Sequence, residues 1–206
     1  MDKKEDISME QKILDAAERL FLDKGFVRTS TTEIAKEAGC NHAMVHYYFR
    51  TKDRLFEKIF ENKIVLFTNA FHTPNVPGES FEDKLKRMIE AHFDVLLDNP
   101  KLPMLILSDM TNSSTRIALA REALGNNPQL IFESLGKDLE REIKKGNIRP
   151  ITPQDLLFTI LSLNIFTFVA MPLYTMVLEV VESQRSYFLE QRKKDIVETV
   201  LKSLRP

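Results

Sequence analysis

The sequence has little of what most enzyme and metal sites require. Its 206 residues include one cysteine, no tryptophan and only six glycines, which are spread along the chain. A single cysteine excludes an intramolecular disulfide and a CxxC zinc site, and scattered glycines exclude a phosphate-cradling loop. The motifs HExxH, GxSxG and GxGxxG are also missing. These absences argue against an enzyme, and we expect no cofactor and no bound metal.

The chain also lacks an excess of charge of either sign. Lys and Arg together number 29 and Asp and Glu 30, which gives a formal net charge of −1. The first 60 residues are balanced as well, with 11 basic and 11 acidic side chains. Bulk charge therefore gives no attraction to nucleic acid. Any binding to DNA has to come from the local placement of a few groups.

One uncharged stretch is long enough to cross a bilayer. Leu156 to Leu178 are 23 residues without a charge, and about 20 suffice for a span. The stretch contains polar residues and Pro172, and Asp155 and Glu179 flank it instead of basic residues. We therefore expect a helix buried in protein on all sides and no membrane association, with a membrane-anchored protein as the alternative. The polar start of the chain predicts no signal peptide, and the lone cysteine suits the cytoplasm.

Apolar residues recur with helical spacing and nowhere alternate as in a strand. The pattern predicts an all-α fold of about nine to ten helices, the first from Met9 to Lys24. A helix that opens at Thr51-Lys52 is expected to link residues 1–68 to residues 69–206. Thr152 and Pro153 predict the start of a later helix, and Pro172 is expected to end it near Met171.

Two short helices joined by a tight turn are predicted within residues 31–50. Ser30 and Glu33 have the spacing of a capping box, which starts a helix. Gly39 suits the positive φ that follows a helix. Asn41 is an N-cap, so the second helix should begin at His42. The residues of this helix that are predicted to face inward are Val45, Tyr48 and Phe49.

The segment GFVRTSTTEIAKEAGCNHAMVHYYFRTKDRLF closely resembles the DNA-binding signature of TetR-type transcriptional regulators. The match runs from Leu14 to Phe60, and the rest of the chain resembles the family only in helical character and length. The residues in register are Gly25-Phe26, Thr29, Ile34-Ala35, Ala38-Gly39, Tyr48-Phe49 and Lys52. The resemblance implies a bacterial regulator, usually a repressor. Residues 1–68 would be its helix-turn-helix DNA-binding domain, and residues 69–206 its effector-binding and dimerisation domain.

The second helix is predicted to enter the major groove of double-stranded operator DNA with its first turns. Histidine could donate to guanine N7 or O6, and Ala43 and Met44 could touch a thymine methyl. The Tyr47, Thr29 and Ser30 hydroxyls and the Lys52 charge could meet phosphates. The predicted DNA contacts are Thr29, Ser30, Asn41, His42, Ala43, Met44, His46, Tyr47 and Lys52.

The resemblance assigns Tyr47 and Lys52 to the DNA backbone and the other helix positions to operator choice. This chain departs from the family pattern in two places. Tyrosine is frequent at the position of His46, and a small hydroxyl residue at that of Met44, so the operator cannot be inferred. Two other interpretations stay open: His42 and His46 have the spacing of two metal ligands but lack an obvious third, and Cys40 could be a redox sensor or a small apolar residue of the turn.

The last two long helices carry more apolar positions than one bundle needs, which predicts a homodimer through them. The middle helices are expected to enclose a site for an unknown small effector, apolar or amphipathic. Its tentative lining is His92, Phe93, Met104, Leu107, Met110, Phe132, Leu163, Asn164, Phe166 and Tyr174. These residues could equally be ordinary core. The alternatives are a constitutive regulator without a ligand switch and an all-helical enzyme.

Overall fold

A computed structural model describes residues 8–72, 74, 76–112 and 114–206, without the side chains of residues 108–112, 114–116 and 119. These residues form ten α-helices and no strand, so the predicted all-α fold is confirmed. The helices are α1 (Met9–Lys24), α2 (Thr31–Glu37), α3 (His42–Phe49), α4 (Lys52–Asn69), α5 (Phe81–Asp98), α6 (Leu102–Asn112), α7 (Ser114–Leu124), α8 (Asn127–Lys144), α9 (Pro153–Val177) and α10 (Glu182–Ser203).

The chain divides into two compact units. The head unit consists of Met1–Ile64 with Leu105–Ala123, and the body unit of Val65–Met104 with Leu124–Pro206. The division thus falls inside α4 and inside α6. The boundary near residue 68 stays a prediction.

The core of the head is built from the apolar stripe of α1 and a group of aromatic rings. Ile13, Ala16, Ala17 and Phe21 are buried on one face of α1, as the helical spacing predicts. Phe21 lies with its ring centroid 5.2 Å from that of Phe56 on α4 and 5.7 Å from that of Phe26. Such tilted and edge-to-face ring pairs add to the free energy of burial.

Lys52 and Thr29 close the loop between α1 and α2. The Lys52 ammonium donates to the carbonyl oxygens of Phe26 and Thr29, both at 3.0 Å, and lies 4.2 Å from the Phe26 ring centroid. The Thr29 hydroxyl donates to the Gly25 carbonyl at 2.9 Å and contacts that of Leu20 at 3.2 Å. Carbonyl groups of the loop thereby receive donors from side chains, which fixes the loop.

The body is organised around α9, which packs on α5, α8 and α10. Ion pairs join the surrounding helices: Lys84 Nζ lies 2.7 Å from Asp138 Oδ2 of α8, and Lys193 Nζ of α10 lies 2.7 Å from Asp94 Oδ1. Thr152 caps α9 through a hydrogen bond from the Asp155 N–H, as predicted.

Pro172 does not end α9, so the predicted end near Met171 is wrong. The helix continues to Val177. A proline inside a helix removes one backbone hydrogen bond and costs about 3 kcal/mol. Burial of Phe168 and Met171 on the packed face favours the helix on the N-terminal side of the proline. On the other side, the Thr175 hydroxyl donates to the carbonyls of Met171 and Pro172.

In the part of the chain that the structure describes, Pro153–Val177 is the helix long and apolar enough to cross a membrane by length and composition. In its most apolar window, 39% of the residues are buried inside the protein. The expectation of a helix buried on all sides is therefore wrong for the single chain: α9 packs on its neighbours with one face, whereas Phe158, Phe166 and Leu173 on another face are exposed. The absence of a membrane span stays a prediction.

We expect Lys52→Met to lower the free energy of unfolding by about 1–2 kcal/mol, because two loop carbonyls lose a charged donor. The methionine keeps much of the apolar stem and removes the ammonium group from its place over the Phe26 ring. Urea unfolding followed by circular dichroism measures the change. Lys58→Met on the same helix is the control: its side chain is mostly exposed, and its effect should stay within about 0.5 kcal/mol. Equal effects of both substitutions would contradict the loop-closing role of Lys52.

Candidate DNA-binding surface

The start of α2 is fixed by a complete capping box. The Ser30 hydroxyl accepts from the Glu33 N–H at 3.2 Å, and Glu33 Oε2 accepts from the Ser30 N–H at 3.0 Å. Lys24 Nζ also donates to Glu33, at 2.9 Å. The Lys24 hydrogen bond, followed by those from Ser30, lowers the pKa of Glu33 to about 2. The carboxylate therefore stays charged at the helix N-terminus, where negative charge is stabilising.

The turn between α2 and α3 has the predicted geometry. Gly39 adopts a φ of +70°, which a glycine reaches without steric cost. The N–H of Cys40 donates to the Ala35 carbonyl at 2.9 Å, which closes the end of α2. Asn41 Oδ1 accepts from the Met44 N–H at 3.0 Å, and α3 begins at His42. The turn thus sets the direction in which α3 leaves α2.

One face of α3 is buried and the other faces solvent. Val45 and Phe49 are buried, whereas Tyr47 is 78% exposed. Tyr48 was predicted to face inward, and this is wrong: it is 38% exposed and packs edge-to-face on the Tyr47 ring. The reason is angular, because at about 100° per residue Phe49 lies some 40° from Val45, while Tyr48 lies some 60° away on the other side. The exposed residues of α3 are His42, Ala43, His46, Tyr47 and Tyr48, and Met44 is half-buried.

The two histidines of α3 are held by neighbouring groups. His42 Nε2 lies 2.8 Å from the Thr31 hydroxyl, and His46 Nδ1 lies 2.7 Å from the Arg50 carbonyl oxygen. A carbonyl only accepts, so the Nδ1 of His46 carries the proton. In the uncharged form of the ring Nε2 is then an acceptor, whereas donation to guanine, which stays a prediction, requires the charged form. Among the described residues, no group of three or more His, Cys, Asp or Glu side chains could hold a metal ion.

Two of the other predicted DNA contacts have structural partners. Thr29 is only 2% exposed and its hydroxyl is bonded to loop carbonyls, so the predicted phosphate contact of Thr29 is corrected: the hydroxyl is buried. Lys52 uses two of its three N–H groups within the head. Ser30 and Asn41 are exposed, and their DNA contacts stay predictions.

Three exposed arginines near the predicted contacts were missed by the sequence analysis. Arg28 precedes Thr29 and donates from Nε to the Lys24 carbonyl, Arg50 ends α3 with a φ of 64°, and Arg54 lies in the first turn of α4. Only their positions in the sequence could have indicated that they lie near the DNA-binding surface, since each stands within two residues of a predicted contact or at the end of α3. They supply local positive charge that the balanced composition does not reveal.

The residues predicted to line an effector site do not form one cavity in the described structure. His92, Phe93 and Asn164 are fully buried, whereas Met104, Leu107 and Phe166 are exposed. Phe132, Leu163 and Tyr174 are half-buried, and the Met110 side chain lies outside the description. Helical spacing shows which residues face inward, but not where two inward faces fail to meet.

A cavity of about 190 Å³ does lie in the body, between α5, α8 and the segment after α4. We call it the α5–α8 cavity. No residue of the predicted lining takes part in it. It is lined by Phe71, His72, Pro74, Lys84, Met88, Leu130, Ile131, Ser134 and Leu135.

Comparison with known proteins covers both parts of the chain. A family model described as bacterial regulatory proteins of the tetR family matches residues 13–59. A second model, described as the tetracyclin repressor-like C-terminal domain, matches residues 82–200. The resemblance that the residues between Leu14 and Phe60 carry is thereby confirmed and extends into the region that showed no motif.

Individual proteins agree with the family models. The chain is 28% identical over 141 residues to the "Probable HTH-type transcriptional regulator YttP" of Bacillus subtilis, across 66% of this chain and 67% of that protein. It is 42% identical over 59 residues to the HTH-type transcriptional regulator AcrR of Shigella flexneri, across 29% and 27%.

A solved structure extends the likeness over the whole fold. A bacterial regulatory protein in the tetR family from Rhodococcus RHA1 superposes with a TM-score of 0.74 over 97% of this chain and 98% of that one, at 18% identity. At this identity the likeness shows the fold alone. The C-terminal family model by itself matches more than half of the sequence, and from this match the chain belongs to the TetR family of bacterial regulatory proteins.

Proposed function

We propose that this protein is a dimeric repressor that binds operator DNA through α3 and is released by a small apolar or amphipathic ligand. TetR-family members are DNA-binding transcriptional regulators and not enzymes. The observation that supports the proposal best is the exposed face of α3. It presents polar and apolar groups to solvent while Val45 and Phe49 fix the helix from behind.

The exposed groups divide by chemistry into two kinds of DNA contact. His42, Ala43, Met44 and His46 lie on the first turns of α3, which reach base edges in the major groove. The Tyr47 and Ser30 hydroxyls, the Asn41 amide and the third N–H of Lys52 are suited to phosphates. Arg28, Arg50 and Arg54 add charge at the margins. Such contacts can supply affinity for DNA although the whole chain has no excess of positive charge, because the electrostatic potential at the binding surface depends on the charges close to it.

The homodimer is proposed to form through α9 and α10. The exposed apolar residues of α9 lie within about 100° of the helix circumference, opposite the face that packs on α5. Large apolar patches on a soluble protein mark interaction surfaces, and members of this family typically act as dimers. A dimer also reads two half-sites at once. The exposed residues of this face are Phe158, Phe166, Leu173, Met176 and Val177.

The effector is proposed to bind in the body unit. The α5–α8 cavity and the buried polar residues His92 and Asn164 support a site there. A constitutive regulator without a ligand switch is the alternative. The small volume of this one cavity, about 190 Å³, is the observation that supports the alternative. A DNA-binding regulator of this kind acts in the cytoplasm.

The proposal is tested by a mobility shift with the purified chain and DNA from the region upstream of its own gene. We expect saturable binding at roughly nanomolar protein and near-physiological salt, with a footprint of two related half-sites. Scrambled DNA of equal length is the control and should bind only at micromolar protein or above. Equal affinity for both DNAs, and for every sequence recovered in a genome-wide selection, would contradict a sequence-specific regulator.

His46 is expected to select adenine or cytosine, rather than guanine or thymine, on the strand that it faces. In the uncharged form of His46 Nε2 accepts, and the amino groups of these two bases donate in the major groove. His46→Arg replaces the acceptor by donors and should shift the preference to guanine, with a discrimination of about 1–3 kcal/mol. Selection from randomised duplexes measures both preferences. Tyr47→Phe is the control, since loss of a phosphate contact should leave the preference unchanged. Selection of guanine by the unmodified protein would refute this assignment.

Phe166→Glu is expected to weaken the dimer by about 100-fold or more, because it would bury an unpaired charge at the contact between two copies of α9. Sedimentation equilibrium over a range of protein concentrations measures the dissociation constant. Val76→Glu is the control, as Val76 is also an exposed apolar residue but lies on neither α9 nor α10. A dimer of unchanged stability in Phe166→Glu would show that another surface forms the dimer.

A further inference from the structure

A side-chain contact joins the first turn of α2 to the start of α3. Thr31 is the first residue of α2, and His42 is the first residue of α3. The Thr31 hydroxyl lies 2.8 Å from His42 Nε2, which is a hydrogen-bond distance. Thr31 is half-buried and His42 is exposed, so a group that is partly fixed within the head holds the imidazole at the outer surface of α3.

A second contact continues along the exposed face of α3. The ring of His42 packs edge-to-face on the ring of His46, one helical turn later, with 4.5 Å between the ring centroids. His46 Nδ1 in turn donates to the Arg50 carbonyl oxygen at 2.7 Å. The two imidazoles are therefore held as a pair, by the Thr31 hydroxyl at one end and by the backbone of Arg50 at the other.

These two hydrogen bonds decide which ring nitrogens are left for DNA. Nε2 of His42 is engaged by Thr31, and Nδ1 of His46 is engaged by Arg50. The nitrogens that the two bonds leave over are Nδ1 of His42 and Nε2 of His46. An uncharged imidazole has one donor and one acceptor nitrogen. Nδ1 of His42 therefore accepts if Nε2 donates to the Thr31 hydroxyl, and it donates if the hydroxyl donates to Nε2.

The contact between Thr31 and His42 matters more to a complex with DNA than to the fold of the free protein. It lies at the protein surface, where water replaces a lost partner of the ring. Base edges displace much of this water, and a polar atom that is then left unpaired costs binding free energy. A ring that is already held in one orientation also loses less conformational freedom when DNA binds.

We propose that Thr31 is a positioning residue for operator recognition. Its hydroxyl engages Nε2 of His42 and orients the ring, so that Nδ1 is the atom that meets one base of each half-site. This inference rests on the proposed DNA-binding function. It places a determinant of operator choice on α2, outside the helix that is proposed to enter the major groove.

Selection from randomised duplexes with variants of the full chain tests this role. It is carried out at about pH 8, where histidine is ordinarily uncharged. His42→Ala identifies the base position that His42 faces. Thr31→Val keeps the shape of the side chain and removes the hydroxyl, so discrimination at that position should fall about fivefold, as for the loss of one hydrogen bond. Thr31→Ser keeps the hydroxyl and should retain the preference of the unmodified protein.

Two further variants separate positioning from a structural role or a direct contact. Thr32→Val, at the exposed neighbouring threonine of α2, is the matched control and should leave the preference unchanged. The double variant Thr31→Val/His42→Ala should select the same sequences as His42→Ala alone, because Thr31 acts through His42. Urea unfolding of each variant should show nearly unchanged stability. Thr31→Ala takes the place of Thr31→Val if the valine variant does not fold.

Long-range ¹H–¹⁵N NMR of the protein without DNA gives an independent measurement, because it shows which nitrogen of His42 carries the proton. A proton on Nε2 predicts adenine or cytosine opposite His42, since Nδ1 then accepts from their amino groups. A proton on Nδ1 predicts guanine or thymine, which present acceptors in the major groove. The His42 signals should move in Thr31→Val and stay unchanged in Thr32→Val.

The proposal is overturned if Thr31→Val keeps the full preference at the position that His42 faces, or if His42→Ala changes the preference at no position. It is also overturned if Thr31→Val still alters selection when His42 is absent, or if the tautomer and the selected base disagree. In all these cases the unmodified protein still selects an operator, so the proposed function stands. Failure of the unmodified protein to prefer any sequence would instead overturn both.

Discussion

The ammonium group of Lys52 is the contact on which the DNA-facing part of the structure depends. It donates to two carbonyls of the loop after α1 and lies over the Phe26 ring. The loop in turn leads into Ser30, whose capping box starts α2, and α2 supports α3. The Lys52 ammonium group therefore stabilises the backbone of the head itself. With the proposed phosphate contact of its third N–H group, this one side chain would serve both DNA binding and the shape of the head.

The local features of the head could be predicted from the sequence because short-range chemistry determines them. The backbone groups at the helix ends of the head are satisfied by residues at most four positions away, namely Ser30 with Glu33, Gly39 and Asn41. Their roles can therefore be recognised from the spacing of residue types in the sequence. Tyr48 was misassigned because two neighbouring residues, Tyr48 and Phe49, compete for the edge of one buried stripe. Thr29 was misassigned because a hydroxyl can donate a hydrogen bond equally well to a loop carbonyl or to a phosphate. Only the fold determines which of the two it contacts.

The body was less accessible to prediction, since its features depend on contacts between residues far apart in the chain. The α5–α8 cavity arises where α5 and α8 do not close against each other, and no spacing within one helix encodes that. His92 and Asn164 were recognised as polar residues on inward faces. Their mutual hydrogen bond joins positions 72 residues apart. The continuation of α9 past Pro172 likewise reflects packing that outweighs a local rule.

The two apolar faces of α9 have a consequence for regulation that follows from mass action. One face belongs to the core of the body, and the other, which is exposed in the single chain, is the one that we propose a second copy covers. Below the dissociation constant of that dimer, the concentration of the DNA-binding species rises with the square of the monomer concentration. Occupancy of an operator then changes more steeply than the amount of protein. A twofold change in protein synthesis produces an almost fourfold change in the concentration of the dimer that binds DNA.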